Sequence, residues 1–260
     1  MEQSEYLELI KRFRRSDSNT ERFVLASYFI FQYNLIARVD DVAKFQMADI
    51  TPNLEYDFIL QSKMGWSKNV TEERDAPDQV LLGAMDLHYC VILGLAIHLE
   101  HGVLNGHLDD RGDRRLLFGV SKNLASDKLS DIVTAEDFPR VNGKPLGTHS
   151  IRKLPATYAR RNGCSKDDVN GRGRWKTAQK IVDRYIDVVL PYQDVLVAGV
   201  LCVGEPMRYG VKPNSGITSQ FILDYCAGRM KELVPQSVAL ILGTYFLCFD
   251  MCFFFKYCVI

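Results

Sequence analysis

The sequence predicts a mainly α-helical chain with one small antiparallel β-sheet, an α+β fold. Apolar residues recur at helical spacing along much of its length, as in Phe23, Ala26, Ile30 and Leu35. Only 56–62 and 79–82 read as clear strands, and the polar stretch between them makes them the arms of one long hairpin. With 260 residues, 47% hydrophobic and 25% charged, the chain can bury a sizeable core and is neither disordered nor fibrous.

Residues 1–17 form a polar lead-in with a short helical pattern. Ser18, Asn19 and Thr20 offer a helix start with Glu21 in the first turn, and the helix runs to Ala37. A second helix is expected over 42–47, followed by a turn at Pro52 and Asn53. After the hairpin, 87–101 reads as an apolar helix stopped by Gly102. A charged loop covers 106–114, a brief strand 116–119, and loop with a short helix 123–140. Gly163 is a natural helix stop. Ser165 and Asp168 have the spacing of a capping box with Asp in place of Glu, starting a short helix that Gly171 and Gly173 break. Thr177 caps a helix to Leu190, which Pro191 ends. Beyond it, 195–203 is apolar, 217–233 is helical, and 238–260 is nearly all apolar, with Asp250 and Lys256 its only charges. That last stretch has the length of a membrane span, but Asp250 near its middle would be costly there. A buried helix is the alternative, and a membrane is not expected as a partner. Three divisions follow: a lead-in at 1–18, a main domain at 19–190, and an extension at 191–260.

Charge and cysteines narrow the function classes. The net charge is zero, yet 140–184 holds twelve Lys and Arg against Asp167, Asp168 and Asp183, a local excess of nine. A phosphate ligand needs such a local field rather than a basic whole protein, although a solvated helical face would give the same count. The seven cysteines include no C-x-x-C pair, which fits reduced thiols in an intracellular protein. His98 and His101 lie three apart without a third ligand at metal spacing, so His88, His98 and His101 read as satisfied surface histidines. No cofactor or metal is expected.

The residues that carry chemistry lie within the basic segment. In Gly147-Thr-His-Ser-Ile-Arg152, His149 and Arg152 are three apart and can share a helical face. Arginine presents a rigid fork of donors matched to phosphate. Trp175 follows in Gly173-Arg-Trp-Lys176, then Tyr185, a possible nucleophile. Singly, an H-x-x-R or a tyrosine on an amphipathic helix is more often structural. The ordered set points to chemistry on a phosphodiester.

With these motifs in view, the stretch 19–190 resembles the tyrosine recombinase catalytic domain of the phage-integrase superfamily. Among its members it is most similar to the integrases of crypton-type eukaryotic mobile elements. Ala37-Arg-Val-Asp-Asp-Val42, with Ala48-Asp-Ile50, resembles the first arginine box, and Gln61-Ser-Lys-Met64 the hairpin that carries a catalytic lysine. Gly147–Arg152 resembles the second box; Gly173–Lys176 and Arg184-Tyr-Ile186 resemble the tryptophan box and the nucleophile. The resemblance implies a tyrosine recombinase fold and DNA cleavage and rejoining through a 3′-phosphotyrosine. Arg38 and Arg152 would hold the phosphate, Lys63 would be the general acid and His149 a base. Trp175 would donate its indole N–H to the phosphate and Tyr185 would be the nucleophile. Lys68 competes with Lys63, and Tyr192 is the less favoured nucleophile. Pro155, three residues after Arg152, should kink or displace its helix. The expected partner is double-stranded DNA, bound by a homo-oligomer, in a nuclear protein. A recombinase-derived DNA-binding protein without turnover is the alternative reading.

Overall fold

The computed structural model describes residues 1–53, 56, 59–64, 78–102, 115–175, 192–204, 206, 218–225 and 230–254. The chain opens with α1 (Gln3–Arg15), whose Tyr6, Leu9, Ile10 and Phe13 form one buried stripe at helical spacing. Glu5 accepts a hydrogen bond from the Glu2 N–H at its start, and Arg12, Arg14 and Arg15 sit in the last turn, where cations suit the helix dipole. A π-helical turn at Thr20–Leu25 leads into α2 (Ala26–Asn34). Every residue of α2 is buried, so it is a central helix packed on all sides. It ends in a tight reversal with Ile36 at φ 48°, and α3 (Val39–Ala43) starts at once. The helix expected at 42–47 therefore lies earlier.

The sheet has three strands rather than two: β1 (Ile50–Pro52), β2 (Leu60–Lys63) and β3 (Asp78–Leu81), antiparallel in that order. Ile50 and Gln79 both lie opposite Ser62, and Lys63 lies opposite Asp78. The sequence hid β1 behind Pro52. As an edge strand, β1 can include a proline, because the side facing away from β2 needs no donor. The hairpin connection, 65–77, lies outside the described residues.

α4 (Val91–Ile97) is buried throughout and continues into a π-helical turn at His98–Gly102. His98 is a core residue, correcting its reading as a surface histidine. A ring nitrogen sits 2.6 Å from the Leu117 carbonyl oxygen, and the ring packs on Phe118. The segment expected to be loop with a short helix is instead the 13-residue α5 (Lys122–Thr134). Its buried stripe is only Ala125, Leu129 and Val133, narrow enough to be masked by the polar residues around it. Ser121 caps it by accepting from the Leu124 N–H.

α6 (Thr148–Arg161) contains Pro155 and runs on past it, correcting the expected displacement. Pro155 and Ala159 are both buried, so packing offsets the missing N–H. α7 (Lys166–Arg172) starts with the anticipated box. Ser165 Oγ accepts from the Asp168 N–H at 3.0 Å, and the Asp168 carboxylate accepts from the Ser165 N–H at 3.1 Å. Later come α8 (Tyr192–Leu201), α9 (Ser219–Tyr225), α10 (Met230–Leu233) and α11 (Gln236–Phe254). α11 packs on α4 and α9, with Val238, Ala239, Leu242 and Tyr245 buried in the main core. The first part of the apolar tail is thus a buried helix. Among the described residues, no helix is long and apolar enough to cross a membrane.

One buried guanidinium joins four of these elements. Arg172, at the end of α7, donates from Nε to the Asn34 carbonyl after α2 at 2.7 Å, and from Nη2 to the Val80 carbonyl of β3 at 2.9 Å. Its Nη1 pairs with the Asp194 carboxylate of α8 at 2.6 Å. The same carboxylate accepts from the Val80 N–H. Burial pushes the Asp194 carboxyl upward, against the pull of Arg172. Removing Arg172 alone would strand that carboxylate, so Arg172→Ala should cost about 3–5 kcal/mol. Arg172→Met combined with Asp194→Leu should cost clearly less than the sum of the two single changes. Urea unfolding of the single and double variants measures both effects.

Candidate functional site

Arg38 comes immediately after the reversal at Ile36, where the backbone is strained; a β-branched residue at positive φ costs on the order of 1–2 kcal/mol. The turn is held by Gln32, whose backbone carbonyl accepts from the Ala37 N–H and whose side-chain amide donates to the Ala37 carbonyl. The same amide donates to the Thr148 carbonyl, in the first turn of α6. The start of the second box is thereby tied to the turn that presents Arg38. Arg38 also heads α3, its N–H donating to Asp41 Oδ2 at 3.1 Å.

Arg152 projects from the buried side of α6 and is only 7% exposed. Its Nη2 donates to the Gly173 carbonyl, and its guanidinium lies over the Trp175 ring, 4.6 Å from the centroid. The two boxes therefore meet as an arginine–tryptophan stack. Gly173 makes it possible: a Cβ there would lie 2.0 Å from Trp175 Cζ3, a separation no side chain can occupy. Trp175 is fixed by its N–H donating to the Asn170 carbonyl.

Beside Trp175, within the same Gly173–Lys176 box, lies Arg174, to which the sequence motifs gave no role. Its side chain is 3% exposed and pairs with Asp41 Oδ2 at 3.4 Å. Its Nη1 donates to the Gln79 side-chain oxygen of β3. Ile36 and Arg174 are the only non-glycine residues at positive φ among those described, and both adjoin the site.

The three arginines feel one another. Burial lowers Arg152 to a pKa of about 10, helped by repulsion from Arg38 and Arg174, while Asp41 acts in the opposite sense. Burial also lowers Arg174, against the pull of Asp41. Among the described residues Asp41 pairs with Arg174 and accepts from the Arg38 backbone N–H. Arg152 Nε is buried with no hydrogen-bond partner among the described residues. Asp41 Oδ1 is likewise buried without a hydrogen-bond partner among the described residues, so donors and an acceptor are both left over here.

His149 occupies the first turn of α6 and is exposed, unlike Arg152. His149, Lys153 and Arg160 follow one another at helical spacing along a solvent-facing stripe. Lys63 ends β2 and is half-buried. It alternates with Ser62, so it stands on the strand face opposite to the Ser62–Gln79 pair. Gln79, in turn, reaches the arginine cluster. Tyr185 and Lys68 lie outside the described residues. Tyr192 begins α8, and nothing is described of its side chain. Among the described residues, no three potential metal ligands cluster.

No family model and no curated protein matches the chain. Its fold does match solved structures. A FLP recombinase–Holliday junction complex aligns over 93% of this chain with a TM-score of 0.58 and 16% identity. A Flpe–Holliday junction complex aligns over 93% with a TM-score of 0.60 and 14% identity. The chain spans 62–63% of the length of those proteins. At these identities the likeness is one of fold: mainly helical, with a three-stranded antiparallel sheet, the tyrosine recombinase architecture that the sequence predicted.

The cluster makes a testable demand. Burial, with repulsion from Arg38 and Arg174, lowers the Arg152 pKa in the folded chain to about 10, so its buried charge opposes folding at neutral pH, and that cost fades as pH rises above about 10. An anion in the cluster removes the cost at neutral pH. Sulfate at a hundred times its Kd should therefore add about 2.7 kcal/mol of stability over chloride at matched ionic strength. Thermal unfolding should register the gain in wild type and lose it in Arg152→Gln.

Proposed function

We propose that the chain is a tyrosine recombinase that cleaves and rejoins double-stranded DNA without a metal or cofactor. The observation that carries the reading is the Arg152–Trp175 stack, beside an Arg174–Asp41 pair whose carboxylate also holds the Arg38 turn, on a fold similar to that of FLP recombinase. Those solved relatives are complexes with Holliday junctions. A phosphodiester is the anion that the cluster, the fold and the sequence motifs have in common.

On this reading Arg38 and Arg152 grip the non-bridging oxygens of the scissile phosphate and stabilise the charge that grows in the transition state. The Arg152–Trp175 stack limits the freedom of the guanidinium, and Trp175 contributes an indole N–H donor. The Tyr185 hydroxyl oxygen attacks phosphorus, the bond to the 5′-oxygen breaks, and a 3′-phosphotyrosine forms. A free tyrosine has a pKa of about 10, so it reacts only with help from cations and a base, the part assigned to His149. Protonation of the departing 5′-oxygen falls to Lys63 or Lys68: Lys63 ends β2 on the strand face opposite Gln79, so it needs the hairpin to turn it toward the cluster, and Lys68 follows it in sequence. The phosphotyrosine conserves the phosphodiester bond energy, so the reverse attack by a 5′-hydroxyl reseals the strand. A crypton-like mobile-element origin, action as a homo-oligomer and a nuclear location belong to the same proposal. A binding protein without turnover differs only in the last step.

A nicked duplex that traps the cleaved state separates the two. Wild type should form a covalent protein–DNA adduct, visible as a band resistant to denaturant. Tyr185→Phe should bind DNA with little loss and form none. An adduct that survives in Tyr185→Phe but vanishes in Tyr192→Phe would reassign the nucleophile. A wild type that binds but forms no adduct would favour the non-catalytic reading.

The stripe on α6 supplies the DNA-facing charge. Of the basic residues at 140–174, Arg152, Arg172 and Arg174 are buried and serve the site or the fold, which leaves the exposed ones to meet a backbone. Lys153 on that stripe and Lys144, in the segment leading into α6, are exposed. Replacing both with Ala should weaken binding to any duplex and reduce the slope of log affinity against log salt by about 2. A salt titration of wild type and variant measures this, and an unchanged slope would place the DNA on another face.

A further inference from the structure

We propose that Arg174 is a positioning residue that holds the Arg38 turn, the β2–β3 hairpin and the Arg152–Trp175 stack in one register. The inference rests on reading the cluster as the site of the scissile phosphate, and it gives a role to a residue that no motif assigns.

The geometry of its fork carries the argument. One arm reaches Asp41 Oδ2 at 3.4 Å, the oxygen that also accepts from the Arg38 N–H. The other arm donates to the Gln79 side-chain oxygen. The Gln79 amide then donates to the Arg172 carbonyl at 2.8 Å and to the Leu35 carbonyl at 3.4 Å. Gln79 lies opposite Ser62, one residue before Lys63. A movement of Arg174 would thus be felt at the first arginine box, at the strand pair that carries the lysine, and at the end of α2. Trp175 is the next residue, so the stack on Arg152 depends on the same backbone.

Two alternatives fit less well. As a direct phosphate ligand, Arg174 would have to offer DNA a side chain that is 3% exposed and already directed at Asp41 and Gln79. As a source of positive field only, it would not need its fork, and a lysine would serve equally. A planar guanidinium can bridge a carboxylate and an amide oxygen at fixed angles, which a single ammonium cannot. The backbone supports a specific role. Arg174 sits at φ 52°, where a non-glycine residue is strained, and it is kept there by its N–H donating to the Gly171 carbonyl.

The test uses the full chain with Trp66→Phe, so that Trp175 is the sole tryptophan, and compares Arg174, Arg174→Gly and Arg174→Lys. Glycine accepts the positive φ and removes the fork; lysine keeps the charge. Sulfate affinity is read from Trp175 fluorescence, affinity for a nicked duplex by titration, and the adduct-forming rate in single turnover at saturating DNA. In Arg174→Gly, sulfate affinity should fall about tenfold and the adduct rate about a hundredfold, the scale expected when reacting groups are misplaced by about an ångström. Duplex affinity should stay within about threefold, because most of it comes from phosphates elsewhere. Arg174→Lys should share most of both losses. Wild-type sulfate affinity in either variant overturns the proposal. So does a fall in duplex affinity as large as the fall in rate, which would indicate direct contact. If wild type forms no adduct, the cleavage reading fails, while the sulfate titration still decides whether Arg174 positions the cluster.

Discussion

Buried guanidinium groups organise this molecule. Arg172 alone satisfies carbonyls from two elements and a carboxylate from a third, and it does so with its side chain only 1% exposed. An arginine in the interior is tolerated only when its donors are matched and its charge compensated. Meeting those conditions fixes where α7, β3, α8 and the end of α2 can stand. The carbonyl of the same residue accepts from Gln79, so the scaffold of the candidate site is anchored by the residue that anchors the core.

Two residues further on, the same type of side chain does something different. Around Arg172 the charges balance locally, with Asp194 as partner. Beside it, Asp41 pairs with Arg174 and holds the Arg38 turn, while Arg152 donates to a carbonyl and stacks on Trp175 without a carboxylate partner among the described residues. The strained turns at Ile36 and Arg174 each deliver a cation, or a residue beside one, to a place that relaxed backbone would not reach.

The zero net charge of the chain conceals this arrangement. Burial takes three arginines of the basic segment out of contact with solvent, and the surface keeps an exposed stripe on α6. A linear count of charges treats both populations alike, although only the exposed one contributes a diffuse, salt-dependent field.

The sequence by itself determined the local features. Helical periodicity, the Ser165–Asp168 cap, the stop at Gly163 and the two strands of the hairpin follow from interactions between residues close in the chain. Arg152 and Trp175 drew notice in the sequence as members of an ordered set, and the fold brings these two together as a stack. Tertiary structure decided the rest, wherever the outcome turned on partners far along the chain. Pro155 stays helical because its ring is buried. β1 exists because β2 lies beside it. His98 is interior because Leu117 supplies a carbonyl, and 238–247 packs into the core because α4 receives α11. Arg174 is the clearest case. The sequence motifs gave it no role, and only the fold brings Asp41 and Gln79 to its two arms, because burying a charge requires partners that no local pattern specifies.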